Sequence, residues 1–386
     1  MHHNLPRRGG NGVTVGCLDT GVDAAHLALS GRVAAFRWFK PGGRSWEDAV
    51  PADTSWHGTH VAGLIVGRHP DGTALGAAPD ARLMAGAVIE DGAILARILL
   101  GLDWLAASRI AVANLSLGIE TASPVLRTML RVLAERDVLI TAPIGNRGAG
   151  IACAPAIDPD VLSVGAADAS GRVAAFSGSL NDPVTRRCEK PDIVAPGVGM
   201  LSCIPGGGYA THSGTSMASA VVAGMAAWLR GAFPQASAAT VADALCRTAV
   251  PPEPVQSHRV RCGLVSLEAA FRHLQGEAGR DLSQRSEATR WPRFIDPRLA
   301  NQLAHSADRS ERDAILEFDG DDACRRFEGE VARIASGADE RHRVVRLRHA
   351  PILIVHCPAA LLRQVLTCEA LRVASACDVD RSAHFR

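Results

Sequence analysis

Between roughly residues 12 and 275, short runs of apolar, strand-prone residues alternate with segments that are apolar every three or four positions. The strand candidates are Val13–Leu18, Arg82–Ile89, Ala111–Leu115, Val138–Ala142, Val161–Ala166 and Asp192–Ala195. The helix candidates include His57–Gly67, Ile94–Ala107, Ser123–Glu135, Thr215–Phe233 and Ser237–Cys246. The strand candidates are apolar almost throughout, with no polar residue at every second position, so both of their faces must be covered. That pattern predicts an α/β fold: a parallel sheet with helices on both faces. In such sheets functional residues collect at the carboxyl ends of the strands.

The texture changes around Gln275–Pro297, which is polar, rich in Arg and Ser and only weakly periodic. Beyond it Ala314–Phe318 reads as a strand, Asp321–Ile334 as a helix, and Arg343–Leu347 and Ile352–His356 as strands. Pro358–Leu371 then reads as a helix and Val373–Cys377 as a final strand. The order βαββαβ predicts a small α+β domain of ferredoxin-like type. The expected organisation is a large domain over 1–275, a linker over 276–310 and an accessory domain over 311–386.

Composition excludes several functions. Lys and Arg number 41 against 40 Asp and Glu, so the chain lacks the basic excess on which nucleic-acid binding depends. A single Tyr and 4% aromatics argue against stacking platforms for single strands. No stretch approaches the ~20 apolar residues that span a bilayer, and Val13–Leu18 is too short for the core of a signal peptide. The ten cysteines and fourteen histidines show no metal-ligand spacing, so neither metal nor cofactor is expected. Reduced thiols and a cytoplasmic location are the corresponding expectation.

Three segments carry chemistry: Leu18-Asp19-Thr20-Gly21, the run HGTHVAG at 57–63, and GTSMAS at 214–219. Taken singly, Asp19 reads as a turn initiator, His57 as a satisfied helix-end histidine and Ser216 as a helix cap beside Thr215. Together, in the order Asp, His, Ser, they have the chain order of a subtilisin-type triad, distinct from that of chymotrypsin or the α/β-hydrolases. Further segments strengthen the resemblance: Leu75-Gly76-Ala77-Ala78-Pro79, Asn114-Leu115-Ser116-Leu117-Gly118, Gly145-Asn146 and Lys190–Gly197. Over residues 12–275 the chain resembles the subtilisin family of serine peptidases.

The resemblance implies that Ser216 is the nucleophile, His57 its general base and Asp19 the carboxylate that orients the imidazole. It implies that Asn146 and the Ser216 backbone N–H stabilise the oxyanion. Substrate would lie extended between Ser116-Leu117-Gly118 and the segment near Asp91-Gly92-Ala93. Ala142, Gly145 and Cys153 would wall the primary pocket, which holds no acid and so suits an apolar side chain. Cys153 also reads as plain packing, as does His60, and Asn114, at a strand end, is more often a residue satisfying local backbone than one touching substrate.

The chain departs from the family in places. Ala220-Val221 stands where Pro-His is usual, and Arg68–Thr73 stands where many relatives hold calcium, although its Pro and His are poor ligands. The catalytic segment begins almost at residue 1, leaving no room for the usual leading propeptide, whereas the last 76 residues share that propeptide's element order. The leading expectation is a serine endopeptidase that processes a dedicated precursor peptide and is governed by its own C-terminal domain. A peptide-tailoring transpeptidase or macrocyclase keeps the triad and changes the acceptor; a non-catalytic peptide-binding module would have lost part of it.

Overall fold

The computed structural model describes residues 9–89, 92–119, 123–181, 188–252, 256, 258–277, 294–295, 299, 302–303, 311–334, 344–366 and 370–376. Strands and helices follow one another as β1 (Thr14–Asp19), β2 (Val33–Phe39), β3 (Trp46–Glu47), α1 (His57–Val66), β4 (Arg82–Ala87), α2 (Ile94–Ala106), β5 (Val112–Asn114), α3 (Pro124–Glu135), β6 (Leu139–Pro143) and β7 (Val161–Ala167). Next come β8 (Leu180–Asn181), β9 (Cys188–Lys190), β10 (Ile193–Pro196), β11 (Met200–Ile204), β12 (Gly208–His212), α4 (Thr215–Ala232), α5 (Ala238–Arg247), β13 (Gly263–Leu264) and α6 (Leu267–Glu277).

Nine strands form one sheet in the order β13-β10-β7-β6-β5-β1-β4-β2-β3, parallel except for the β2–β3 pair. Its two faces carry separate cores. Val15 and Cys17 of β1 pack with α1, α4, α5 and α6, whereas Leu18 of the same strand packs with α2 and α3. This alternation of successive side chains across the sheet is what a strand buried on both sides requires. The helices therefore lie on both faces, as the apolar strands predicted.

Among the elements that sequence reading did not place, β2 and the β11–β12 hairpin escaped it for different reasons. β2 is an outer strand whose residues are mostly half-exposed, and Arg37 interrupts its apolar run. The β11–β12 hairpin lies outside the main sheet, with polar and glycine residues in its second arm. The hairpin nonetheless shapes the site, because α1 packs against it. Gly63 has no room for a side chain there: a Cβ would come within 2.2 Å of Ser202 Oγ.

After the large domain, β14 (Phe294–Ile295), β15 (Glu311–Phe318), β16 (Val344–Arg346), β17 (Ile352–Pro358) and β18 (Leu371–Ala376) form a second sheet in the order β14-β18-β15-β17-β16. β14 falls inside the stretch expected to be a linker, most of which lies outside the described residues. The helices Asp321–Ile334 and Ala359–Val365 follow β15 and β17. Ala314, Leu316 and Phe318 of β15 pack with these helices, while Ile315, Ile352, Ile354 and Val373 join the core formed by α2 and α3. The second sheet thus uses its other face to cover two helices of the first domain.

Polar contacts fix that seam. Asp103 Oδ1, on α2, accepts hydrogen bonds from the backbone N–H of Arg348 at 2.8 Å and of His349 at 3.0 Å, and from His349 Nδ1 at 2.9 Å. Thr128 Oγ1, on α3, donates to Glu317 Oε1 at 2.8 Å. Burial raises the Glu317 carboxyl above its ordinary range, with the Thr128 bond opposing the shift. Asp103→Ala strands three donors and is expected to weaken docking by about 2–4 kcal/mol. Hydrogen exchange in residues 344–358 should then speed up roughly 10²-fold relative to the parent; unchanged exchange would show that the apolar face alone holds the sheet in place.

Candidate active site

The carboxyl edge of the parallel sheet gathers the sequence-predicted residues. Asp19 is the last residue of β1, His57 the first of α1, and Ser216 the second of α4. Ser116, Leu117 and Gly118 follow the end of β5, and Gly145 and Asn146 follow β6. Chain segments far apart in sequence meet because parallel strands place all their carboxyl ends on one side. α1 reaches the end of β1 only because Gly58 meets Gly21: a Cβ on Gly58 would lie 2.1 Å from Gly21 O.

His57 Nδ1 lies 2.7 Å from Asp19 Oδ1, with both side chains buried. A carboxylate oxygen only accepts, so Nδ1 carries the proton and Nε2 is the basic nitrogen. Burial pulls the imidazole's pKa down, but the charge of Asp19 and its hydrogen bond more than offset this and leave it above the ordinary value.

Asp19 is held in turn. Its Oδ1 accepts from the Thr20 N–H at 2.7 Å. Thr20 Oγ1 donates to Asp53 at 2.6 Å and accepts from Gly58 N–H at 3.0 Å. The other Asp53 oxygen accepts from Thr59 N–H at 2.7 Å and Thr59 Oγ1 at 2.6 Å. One carboxylate thereby ties the strand end bearing Asp19 to the helix start bearing His57. Burial raises the Asp53 pKa, and the hydrogen bonds from Thr20 and Thr59 oppose that. Sequence reading missed Asp53, which sits in an aperiodic loop; an acid four residues before the histidine was the available signal.

Ser216 is half-exposed. Gly214 occupies the cap position of α4, and the cap makes no side-chain hydrogen bond, so the helix-cap reading of Ser216 does not hold. The first turn of any α-helix directs N–H groups outward with a partial positive charge. Asn146 Oδ1 accepts from the Thr215 N–H and from Thr215 Oγ1, both at 2.9 Å. A backbone N–H cannot accept, so this bond fixes which end of the amide is oxygen and turns Nδ2 to the other side.

Asn114 is fully buried and is neither a substrate contact nor a backbone cap. Its Oδ1 accepts from Thr141 Oγ1 at 3.1 Å and Ser219 Oγ at 2.9 Å, while Nδ2 donates to Ser116 Oγ at 2.9 Å. Ser116 Oγ then donates to the Ser216 carbonyl at 3.1 Å. β5, β6 and α4 are thus joined directly beneath the candidate nucleophile. His60, read as packing, donates through Nε2 to the carbonyls of Met200 and Ala210 at 3.1 and 3.2 Å, which binds α1 to the β11–β12 hairpin. Burial lowers its pKa to about 4. Beside His57, Trp56 stacks on His212 with ring centroids 3.6 Å apart.

The expected pocket needs one correction. Ala142 is fully buried in the core on the α2–α3 side of the sheet, so it cannot line an open cleft; on β6, alternate residues face opposite ways. Gly145 and Cys153 do adjoin one another: a Cβ on Gly145, which has φ +106°, would meet Cys153 Sγ at 3.1 Å. Cys153 Sγ points at the Ile144 carbonyl, 3.3 Å away, and burial pushes its pKa up to about 12. Asp91 lies outside the described residues. In the loop after α1, Arg68 Nη1 donates to Gly72 O at 3.2 Å and His69 N–H to Thr73 O at 2.8 Å.

A sequence profile of the subtilase family matches residues 10–284. Subtilisin Savinase of Lederbergia lenta is 37% identical over 265 residues, covering 68% of this chain and 92% of the relative. Subtilisin E of Bacillus subtilis (strain 168) is 34% identical over 252 residues, 62% of this chain and 61% of its own. The subtilisin-like protease PopC of Myxococcus xanthus (strain DK1622) is 36% identical over 288 residues, 66% of this chain and 59% of its own. The chain thus spans less than two thirds of the length of several curated relatives. A matched profile over most of the chain, on a sheet that gathers an Asp, a His and a Ser at its carboxyl edge, has one consequence: the chain belongs to the subtilase family and is a subtilisin-like serine endopeptidase.

Proposed function

We propose that Ser216 attacks the peptide carbonyl while His57 Nε2 takes its proton, giving an acyl-enzyme that water then hydrolyses. Asp19 holds the Nδ1–H tautomer and stabilises the imidazolium. The Asn146 side-chain amide and the Ser216 backbone N–H meet the oxyanion. The observation that carries this reading is the buried 2.7 Å bond between His57 Nδ1 and Asp19, which commits one ring nitrogen and makes the other the base. Substrate lies extended along Ser116-Leu117-Gly118 and Gly92-Ala93, with a medium-sized apolar residue toward Gly145 and Cys153. A dedicated precursor peptide is the natural substrate, processed in the cytoplasm; the eight described cysteines, all free thiols, fit a reducing compartment.

The C-terminal domain is a ferredoxin-like, propeptide-like module that regulates this site from within the chain. Support comes from its strand order, with β15 between β17 and β18, and from its seat on α2 and α3. α2 begins at Ile94, directly after the Gly92-Ala93 segment assigned to substrate. The tail Asp378–Arg386, assigned to the cleft as a product-like inhibitor, lies outside the described residues. A chain of that length spans up to ~30 Å when extended, and tethering gives even a weak contact a high effective concentration.

Three outcomes are expected. Activity requires neutral His57, so kcat/KM should fall on acidification through an apparent pKa above the ordinary ~6.5 of histidine; an acid limb well below 6 would remove Asp19 as its electrostatic partner. Asn146→Ala should lower kcat by about 10²–10³-fold, a magnitude established for this donor in subtilisin itself, with KM nearly unchanged. A raised KM with kcat preserved would make Asn146 a ground-state binding residue. Deleting the residues after Val379 should raise kcat/KM toward short peptides several-fold. Removal of the whole module belongs after Glu277, because Phe271 of α6 packs on Trp228 and Phe233 of the main core. Truncations at both points that fold and cleave like the full chain would leave substrate recruitment as the module's role.

A further inference from the structure

The turn between β2 and β3 touches both the C-terminal sheet and the segment assigned to substrate. Its frame is tight. Lys40 N–H donates to Ser45 O and Gly43 N–H to Lys40 O, both at 2.9 Å, and Lys40 Nζ pairs with Glu47 across the hairpin. The base of the hairpin is fixed to α2. Arg97 Nε, on a fully buried side chain, donates to the Phe39 carbonyl at 2.6 Å. The Arg37 guanidinium lies over the Trp104 ring, 5.1 Å from its centroid.

At the tip, Gly43 is buried with φ +64° and rests on the start of α2: a Cβ there would come within 2.8 Å of the Cβ atoms of both Ala93 and Ala96. Pro41 O faces Gly92 in the same way, 3.3 Å from where a Cβ would stand. Ala93 itself has φ +47°, a left-handed conformation that a residue with a side chain keeps only when its surroundings enforce it. One residue beyond Gly43, Arg44 reaches the other way. Its guanidinium pairs with Asp313 Oδ1 of β15, which also accepts from His356 Nδ1 of β17 at 2.9 Å. The C-terminal sheet thus holds the end of α2 directly, through Asp103, and its start indirectly, through Arg44 and Gly43.

We propose that Arg44 is a positioning residue: paired with Asp313, it makes the docked C-terminal sheet a brace that keeps Gly92-Ala93 in the shape that pairs with an extended peptide. Resting on the reading of Gly92-Ala93 as one wall of the cleft, this brace gives the C-terminal sheet a defined means of regulating that site. Its action is separate from that of the tail, which competes with substrate, because the brace raises affinity for long peptides. Arg44 acts through Gly43 and Ala93 and leaves Ser216, His57 and Asn146 alone. Main-chain pairing along the acyl side is present in the ground state and the transition state alike, so its loss raises KM and spares kcat. Asp313 is about half-exposed, so water screens the ion pair and its contribution is modest.

The test measures kcat and KM of the full chain on two peptide series, one with two residues before the scissile bond and one with five. In the parent, KM should fall with the longer series. Arg44→Ala should raise KM for the long peptides about threefold, with kcat unchanged and the short peptides unaffected. Asp313→Ala should do the same, and the double variant should add nothing further, because the two residues act as one pair. Exchanging the charges, Arg44→Asp with Asp313→Arg, should restore the parent KM. A parent indifferent to peptide length would overturn both the brace and the substrate reading beneath it. A length-dependent parent matched by Arg44→Ala, an equal rise for short and long peptides, or additive single variants would overturn the brace alone.

Discussion

The hydrogen bond between His57 Nδ1 and Asp19 is where this structure's demands converge. It needs a carboxylate at the carboxyl end of a central strand and an imidazole on the first residue of a helix. It also needs that helix to start hard against the next turn of the chain. Gly58 against Gly21 permits the approach, and Asp53, through Thr20 and Thr59, locks its two sides. Exposed to water, the same pair would gain little; buried, the carboxylate sets both the tautomer and the basicity of the imidazole.

A second polar assembly supports the helix that bears Ser216. Asn114 sits under α4 and joins Thr141, Ser116 and Ser219, so that the strand assigned to substrate and the helix bearing Ser216 share one rigid support. Buried polar groups of this kind stabilise only when every member is satisfied, and Asn114 uses both ends of its amide. Ser116 and the first turns of α4 therefore cannot shift independently. Asn146 adds a third restraint by its bonds to Thr215.

Much of this was legible in the chain. The parallel sheet followed from strands apolar almost throughout, and Asp19, His57, Ser216 and Asn146 stood out through the chain order of their motifs and the resemblance those motifs carry. What stayed hidden obeys weaker rules. β2 is an outer strand with mixed polarity, and the β11–β12 hairpin lies off the main sheet, so neither carries a clean period. Asp53 acts from a loop, where no periodicity marks it. Ala142 was expected in the pocket from the family resemblance, but alternation along β6 turns it into the core. Asn114 was ambiguous because its partners come from three separate segments.

The C-terminal sheet adds a further constraint, since it covers α2 and α3 with an apolar face and clamps Asp103. The proposed chemistry rests on Ser216 as its nucleophile. Labelling the full chain with a fluorophosphonate and mapping the adduct tests this most directly. The account predicts a single phosphonylated residue, Ser216, with labelling and peptide hydrolysis both abolished in Ser216→Ala while the fold persists. An adduct on another residue, or a Ser216→Ala enzyme that hydrolyses peptides at the parent rate, would contradict it.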